Sequence, residues 1–148
     1  MVRIDKIMCA VDFSQISVKV ASYAQLIAQS LNASVRVLHV APSLTEYVAF
    51  HLPPTSLDKM EKIVGDVMGK AERTMESFVR ENFSNVDVTG KVMKGYAPEK
   101  ILNFVRDEDI QLIIMGTHGH TGIKRVLFGS VAENIVKKAS VPVITIRP

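Results

Sequence analysis

The 148-residue chain has one cysteine, Cys9, and no tryptophan. A lone thiol excludes a disulfide framework inside the monomer and any metal site built from several cysteines. Aromatics make up only 6% of the residues, too few for the row of stacking rings that single-stranded nucleic acid needs. Charge of one sign is also scarce, since 18 Lys and Arg face 15 Asp and Glu for a formal +3. The basic residues are scattered from Arg3 to Arg147, and their densest groups are the pairs Lys124-Arg125 and Lys137-Lys138. Such pairs are too small for the electrostatic footprint of a nucleic-acid binder. No apolar run approaches the roughly eighteen residues of a membrane helix. Met1 to Lys6 carries charges where a signal peptide needs a continuous apolar stretch. The expectation is a cytoplasmic protein with neither membrane nor nucleic acid as a partner, its thiol kept reduced.

What the chain does have is an ordinary globular composition, 47% hydrophobic and 22% charged. That suits one domain over residues 1–148, long enough to build a core without staples. Short apolar runs alternate with longer helical stretches. Ile7 to Val11 is continuously apolar, as a strand buried on both faces requires. Ser14 to Leu31 places Val18, Ala21, Ala24 (or Tyr23), Ile27, Ala28 and Leu31 at helical spacing, with Ser14 as the N-cap. Ser34 to Val40 is β-branched and partly alternating, hence a strand. Ala41 to Ser56 holds three prolines and no clean period, which predicts a long loop. A long helix follows over Leu57 to Asn82, its apolar rhythm running from Met60, Ile63 and Val67 to Met75, Phe78 and Val79. Gly65 and Gly69 interrupt it, each at a cost of about 1 kcal/mol relative to Ala. Val86 to Met93 alternates as an edge strand does, and Pro98 opens a helix to Arg106 with Ile101, Leu102 and Val105 inward. Ile110 to Met115 is a buried strand, Ser130 to Lys138 a short helix, and Val143 to Ile146 a closing strand.

Strict β-α alternation predicts an α/β fold, an open parallel sheet with helices on both faces and right-handed crossovers. In such sheets ligands bind at the carboxyl ends of the strands, where the strand order reverses. The segments after the first and fourth strands are therefore the places to look. After the fourth, Gly116, Gly119 and Gly129-Ser130 punctuate the chain. Glycines let the backbone approach a ligand closely, and free N–H groups at a helix start attract anions. These residues suit a phosphate-binding loop whose donors come from the main chain, and they suit equally a pair of turns. The P-loop pattern is absent, as is G-x-G-x-x-G after the first strand, where Ala10-Val11-Asp12-Phe13-Ser14 has no glycine.

The spacing Gly116-x2-Gly119-x9-Gly129-Ser130 resembles the nucleotide-binding pattern of the universal stress protein family. Lys6 to Ser14 resembles that family's first strand and turn, Val37-Leu38-His39-Val40 its second strand end, and Gly129 to Val143 its closing helix and strand. The resemblance implies a five-stranded parallel sheet in the order 3-2-1-4-5 that binds ATP (or ADP or AMP) with Mg or Mn. By position, Val40 would meet the adenine edge through its main chain, and Ala10, Val11 and Asp12 would lie beside adenine and ribose. Met115 and Gly116 would flank the ribose, while His118, Gly119, Gly129, Ser130 and Val131 would line the phosphates. Ala132 departs from relatives that carry a hydroxyl there. The resemblance also implies a homodimer paired through the Val143–Ile146 edge, and a stress-response regulator or adaptor with a protein partner.

Plainer roles stand beside these. Asp12 suits an N-terminal helix cap as well as a ligand. His39 reads as a packed polar residue, Cys9 as inert packing, and Met60, Met68 and Met75 as core. His118 and His120 have no nearby Cys or carboxylate at zinc spacing. ATP hydrolysis needs a base that positions water; His118, His120 and Glu133 form no recognisable constellation, so no catalytic residue is assigned. A slow or partner-dependent ATPase and a nucleotide-free interaction module are the alternatives.

Overall fold

Ile7, Met8 and Cys9 are fully buried, because β1 (Lys6–Ala10) occupies the centre of a sheet with a partner on each side. The computed structural model describes residues 1–43, 57–119 and 128–148. Along them β1 is followed by α1 (Gln15–Leu31), β2 (Ser34–Ala41), α2 (Leu57–Asn82), β3 (Val88–Lys94), α3 (Ala97–Asp107), β4 (Leu112–Gly116), α4 (Ser130–Lys138) and β5 (Val143–Ile146). The strands lie in the order β3-β2-β1-β4-β5, and all neighbouring pairs are parallel. This is the α/β sheet that the alternation predicts, in the order that the resemblance implied.

Side chains of successive strand residues point to opposite faces, and this divides the core in two. Ile7, Cys9, Val35, Val37 and Ile114 pack under α1 and α2 with Val20, Ala24, Met75 and Phe78. Met8, Leu38 and Ile113 pack under α3 and α4 with Ile101, Phe104 and Ile135. The helix after β1 therefore lies on one face and the helix after β4 on the other. Between these two neighbouring strands the direction of winding reverses.

Two expected helix faces are corrected. On α1, Ala21, Ala24 and Ala28 are buried as expected, but Val18 and Leu31 are exposed, at 49% and 47%, as is Tyr23, and Ser17 and Val20 are buried in their place. The buried stripe is made mainly of small residues, which lets the helix axis come close to the sheet. On α2, Met75 and Phe78 are buried, but Ile63 and Val67 are exposed. A 26-residue helix is about 39 Å long and outruns the strands beneath it, so its apolar rhythm continues past the surface that could cover it. The strand bounds shift too. β3 begins at Val88 rather than Val86, and β4 at Leu112 rather than Ile110. Ile110 is buried ahead of that strand, while the Gln111 side-chain oxygen accepts from the Asp5 and Lys6 amides. Of the expected Ala41–Ser56 loop, Ala41 closes β2 and residues 44–56 lie outside the described residues, as does His120.

Open space surrounds Gly65, and Gly69 meets only the guanidinium end of Arg73. No packing demand explains either glycine. Gly65→Ala is expected to raise stability by up to about 1 kcal/mol, seen as a higher urea midpoint; a lower midpoint would reveal a need for glycine there.

Candidate functional site

Where winding reverses, the carboxyl ends of β1 and β4 splay apart and leave a crevice. A cavity of about 240 Å³ lies there. Ala10, Val11 and Asp12 reach it from the end of β1, and Val40 from β2. Met115, Gly116, His118 and Gly119 come from β4 and the segment after it; Gly129, Ser130 and Val131 come from the start of α4. The eleven residues that the resemblance assigned to a nucleotide thus line one cavity.

Asp12 is held by its own turn. Its Oδ1 accepts hydrogen bonds from the Ser14 amide at 3.0 Å, the Ser14 hydroxyl at 2.5 Å and the Ser17 hydroxyl at 2.9 Å. The Asp12 amide in turn donates to Ser17 Oγ at 3.1 Å. Ser14 occupies the N-cap position of α1 in extended conformation, yet its side chain makes no capping bond. The Asp12 carboxylate, not the Ser14 hydroxyl, organises the helix start, and the positive end of α1 favours its charge.

The glycines bring two chain segments into contact. A Cβ on Gly119 would stand 2.8 Å from Asp12 Oδ2, and one on Gly129 would stand 3.2 Å from the Thr117 carbonyl oxygen. Side-chain bulk is excluded by this crowding alone. The Gly129 amide donates to the Thr117 carbonyl at 2.6 Å, so it is already satisfied within the chain. The donors left to face an anion are those that follow. α4 has no side-chain cap at Gly129, and its intrahelical ladder starts with the Glu133 amide donating to the Gly129 carbonyl. The amides of Ser130, Val131 and Ala132 precede that bond and have no intrahelical acceptor. Lys137 hydrogen-bonds Glu133 at 2.7 Å and holds its carboxyl below the usual range. The favourable contribution of this exposed pair is present at neutral pH and is lost as pH falls through the lowered pKa.

Several lining residues were not assigned to the site from the sequence: Ile16, Ser17, Leu38, Ile101 and Thr117. Thr117 is 1% exposed, and its Oγ1 lies 2.7 Å from His118 Nδ1. A polar residue directly after an apolar strand was the available signal. His39 also lines the crevice, and its Nδ1 lies 2.9 Å from the Val11 carbonyl oxygen. Cys9 is fully buried, which pushes its thiol up to about 12 and keeps it protonated. Among the described residues no group of three His, Cys, Asp or Glu side chains could hold a metal ion, and no helix is long and apolar enough to cross a membrane. A larger groove of about 870 Å³ runs between α3 and α4, past Leu102, Arg106, Asn134 and Lys138. None of the residues that the resemblance assigned to a nucleotide lines it.

The family model of the universal stress protein family matches residues 3–147. The chain belongs to the universal stress protein family. Universal stress protein MJ0531 of Methanocaldococcus jannaschii is 29% identical over 143 residues, covering 96% of this chain and 81% of that relative. The solved structure of MJ0577, from the same organism, superposes with a TM-score of 0.85 at 26% identity, covering 99% of this chain and 98% of the other. A universal stress protein of Archaeoglobus fulgidus, solved in complex with dAMP, shares the fold with a TM-score of 0.63 at 23% identity over 99% of each chain. In this universal stress protein the crevice between β1 and β4 combines two closely packed glycines, a helix start without a side-chain cap and one carboxylate held in place.

Proposed function

We propose that this universal stress protein binds an adenine nucleotide, ATP in the first place, in the crevice between β1 and β4, and acts as a nucleotide-responsive regulator. One observation carries the reading: residues from five separate stretches of chain converge on a single cavity with many apolar lining residues, and the start of α4 brings its backbone donors there. The dAMP complex of the A. fulgidus relative supports an adenine nucleotide as the ligand class. Val40 and Ala10 take the base, and Asp12 the nucleoside's polar groups. Met115 and Gly116 flank the ribose. His118, Gly119, Gly129, Ser130 and Val131 surround the phosphates, their charge met chiefly by the α4 amides. Mg or Mn, carried by the phosphates, would offset part of their charge, and no side chain is assigned to hold it. What the chain contributes in this reading is shape and donors, and the proposed role is binding. Calorimetry with ATP, AMP and adenosine tests the reading. ATP binding tighter than adenosine supports it, and no heat at millimolar ATP favours a nucleotide-free interaction module. Rapid sustained phosphate release in the presence of magnesium would make the protein an ATPase instead.

The regulator is proposed to act as a homodimer. β5 ends the sheet order and pairs only with β4 among the described strands; Ile144 on it is 36% exposed. An apolar edge strand invites pairing, here with β5 of a second copy. Light scattering at micromolar concentration is expected to give twice the chain mass, and Ile144→Lys to shift it to the monomer. A monomeric mass for the unsubstituted chain would remove the proposal.

A further inference from the structure

Phe13, the residue directly after Asp12, has a φ of 63°. That left-handed conformation is costly for a bulky side chain and persists only where surrounding structure enforces it. Packing enforces it here. The Phe13 ring lies 4.5 Å from the His39 ring, centroid to centroid, and 5.7 Å from Phe78 of α2 in an edge-to-face arrangement. His39 makes a second attachment to the same turn, because its Nδ1 is 2.9 Å from the Val11 carbonyl oxygen. A carbonyl only accepts, so Nδ1 carries the proton and donates. His39 therefore holds the residue before Asp12 by a hydrogen bond and the residue after it by a tilted ring contact. The carboxylate between them is already bound through Oδ1 to Ser14 and Ser17, and its other oxygen faces Gly119.

We propose that His39 is a positioning residue of the crevice: by gripping both neighbours of Asp12 it fixes where that carboxylate points, and so sets the affinity for the nucleoside part of the ligand. The inference rests on the nucleotide reading above and adds to it a group outside the glycine pattern. Phe13 is the intermediary, and Phe78 ties the turn to α2.

A double-mutant cycle on ATP binding, measured by calorimetry, tests it. His39→Leu removes both attachments and is expected to weaken binding about tenfold. His39→Asn, whose side-chain amide can place a donor where Nδ1 stands, should recover part of that loss. Asp12→Ala should weaken binding by itself, and His39→Leu added to it should then cost little more. Additive losses would show that His39 does not act through Asp12, and unchanged affinity in His39→Leu would overturn the role outright. Should Asp12→Ala not fold, Asp12→Asn replaces it in the cycle. If the unsubstituted chain binds no ATP, the nucleotide reading falls and this role falls with it. Binding with an additive cycle sinks only the role of His39.

Discussion

With ATP at a hundred times its dissociation constant, the unfolding free energy is expected to rise by about 2.7 kcal/mol if, as proposed, the nucleotide binds the folded chain and not the unfolded one. For a chain of this size the increment corresponds to roughly 5–10 °C in the thermal midpoint. Gly119→Val and Gly129→Val should erase it. In the first, the new side chain meets Asp12 Oδ2 at 2.8 Å from its Cβ outward; in the second it meets the Thr117 carbonyl at 3.2 Å. Both substitutions push the two segments apart even without ligand, so the quantity to read is the increment on adding ATP, not the midpoint itself. Both variants keeping the full increment would place the ligand elsewhere. An equal increment from AMP would move the affinity away from the amides of α4 and toward the nucleoside end.

Ile135→Ala is expected to cost about 2–5 kcal/mol. Ile135 is fully buried and packs in the core beneath α3 and α4 with Met8 and Ile113 among its members. α4 has only nine residues, too few to persist as an isolated helix; Ala132 and Ile135 are its buried residues. Loss of that anchor should therefore reach the donors at Ser130 and Val131 as well. Urea unfolding gives the stability loss, and the thermal increment with ATP should shrink in the same variant. A loss below about 1 kcal/mol would mean that α4 is held by something other than this side chain.

The fold was legible because its signals are local. Continuous apolar runs, helical spacing and the alternation between them settle element type, and parallel pairing follows from crossover connections. Ser130–Lys138 and Val143–Ile146 stand where the sequence puts them, marked by Gly129 before the one and Pro142 before the other. The buried face of α1 was legible only in part: Ala21, Ala24 and Ala28 are buried as the spacing predicts, and Val18 and Leu31 are not. Val18 and Leu31 satisfy the helical period as well as Val20 does, and periodicity alone does not say which stripe lies against a sheet. Nor does it say where a sheet stops, which is why Ile63 and Val67 of α2 are exposed.

For the crevice the division is similar. The residue types that could receive a nucleotide, and their spacing along the chain, are properties of the sequence: three glycines, a helix start without a capping side chain, an acidic turn after the first strand. Their convergence depends on β1 and β4 being neighbours, a long-range pairing that no local signal encodes. The same holds for the Gly129 amide, which looks like a ligand donor in the sequence and is bonded to Thr117 in the fold. It holds for Ser17, Thr117 and His39 too, polar residues whose partners are decided by what packs against them. The sequence determined which groups this protein possesses and the order of its elements; tertiary structure decided which of those groups are already satisfied and which face the cavity, because hydrogen-bond partners and burial are set by neighbours in space rather than along the chain.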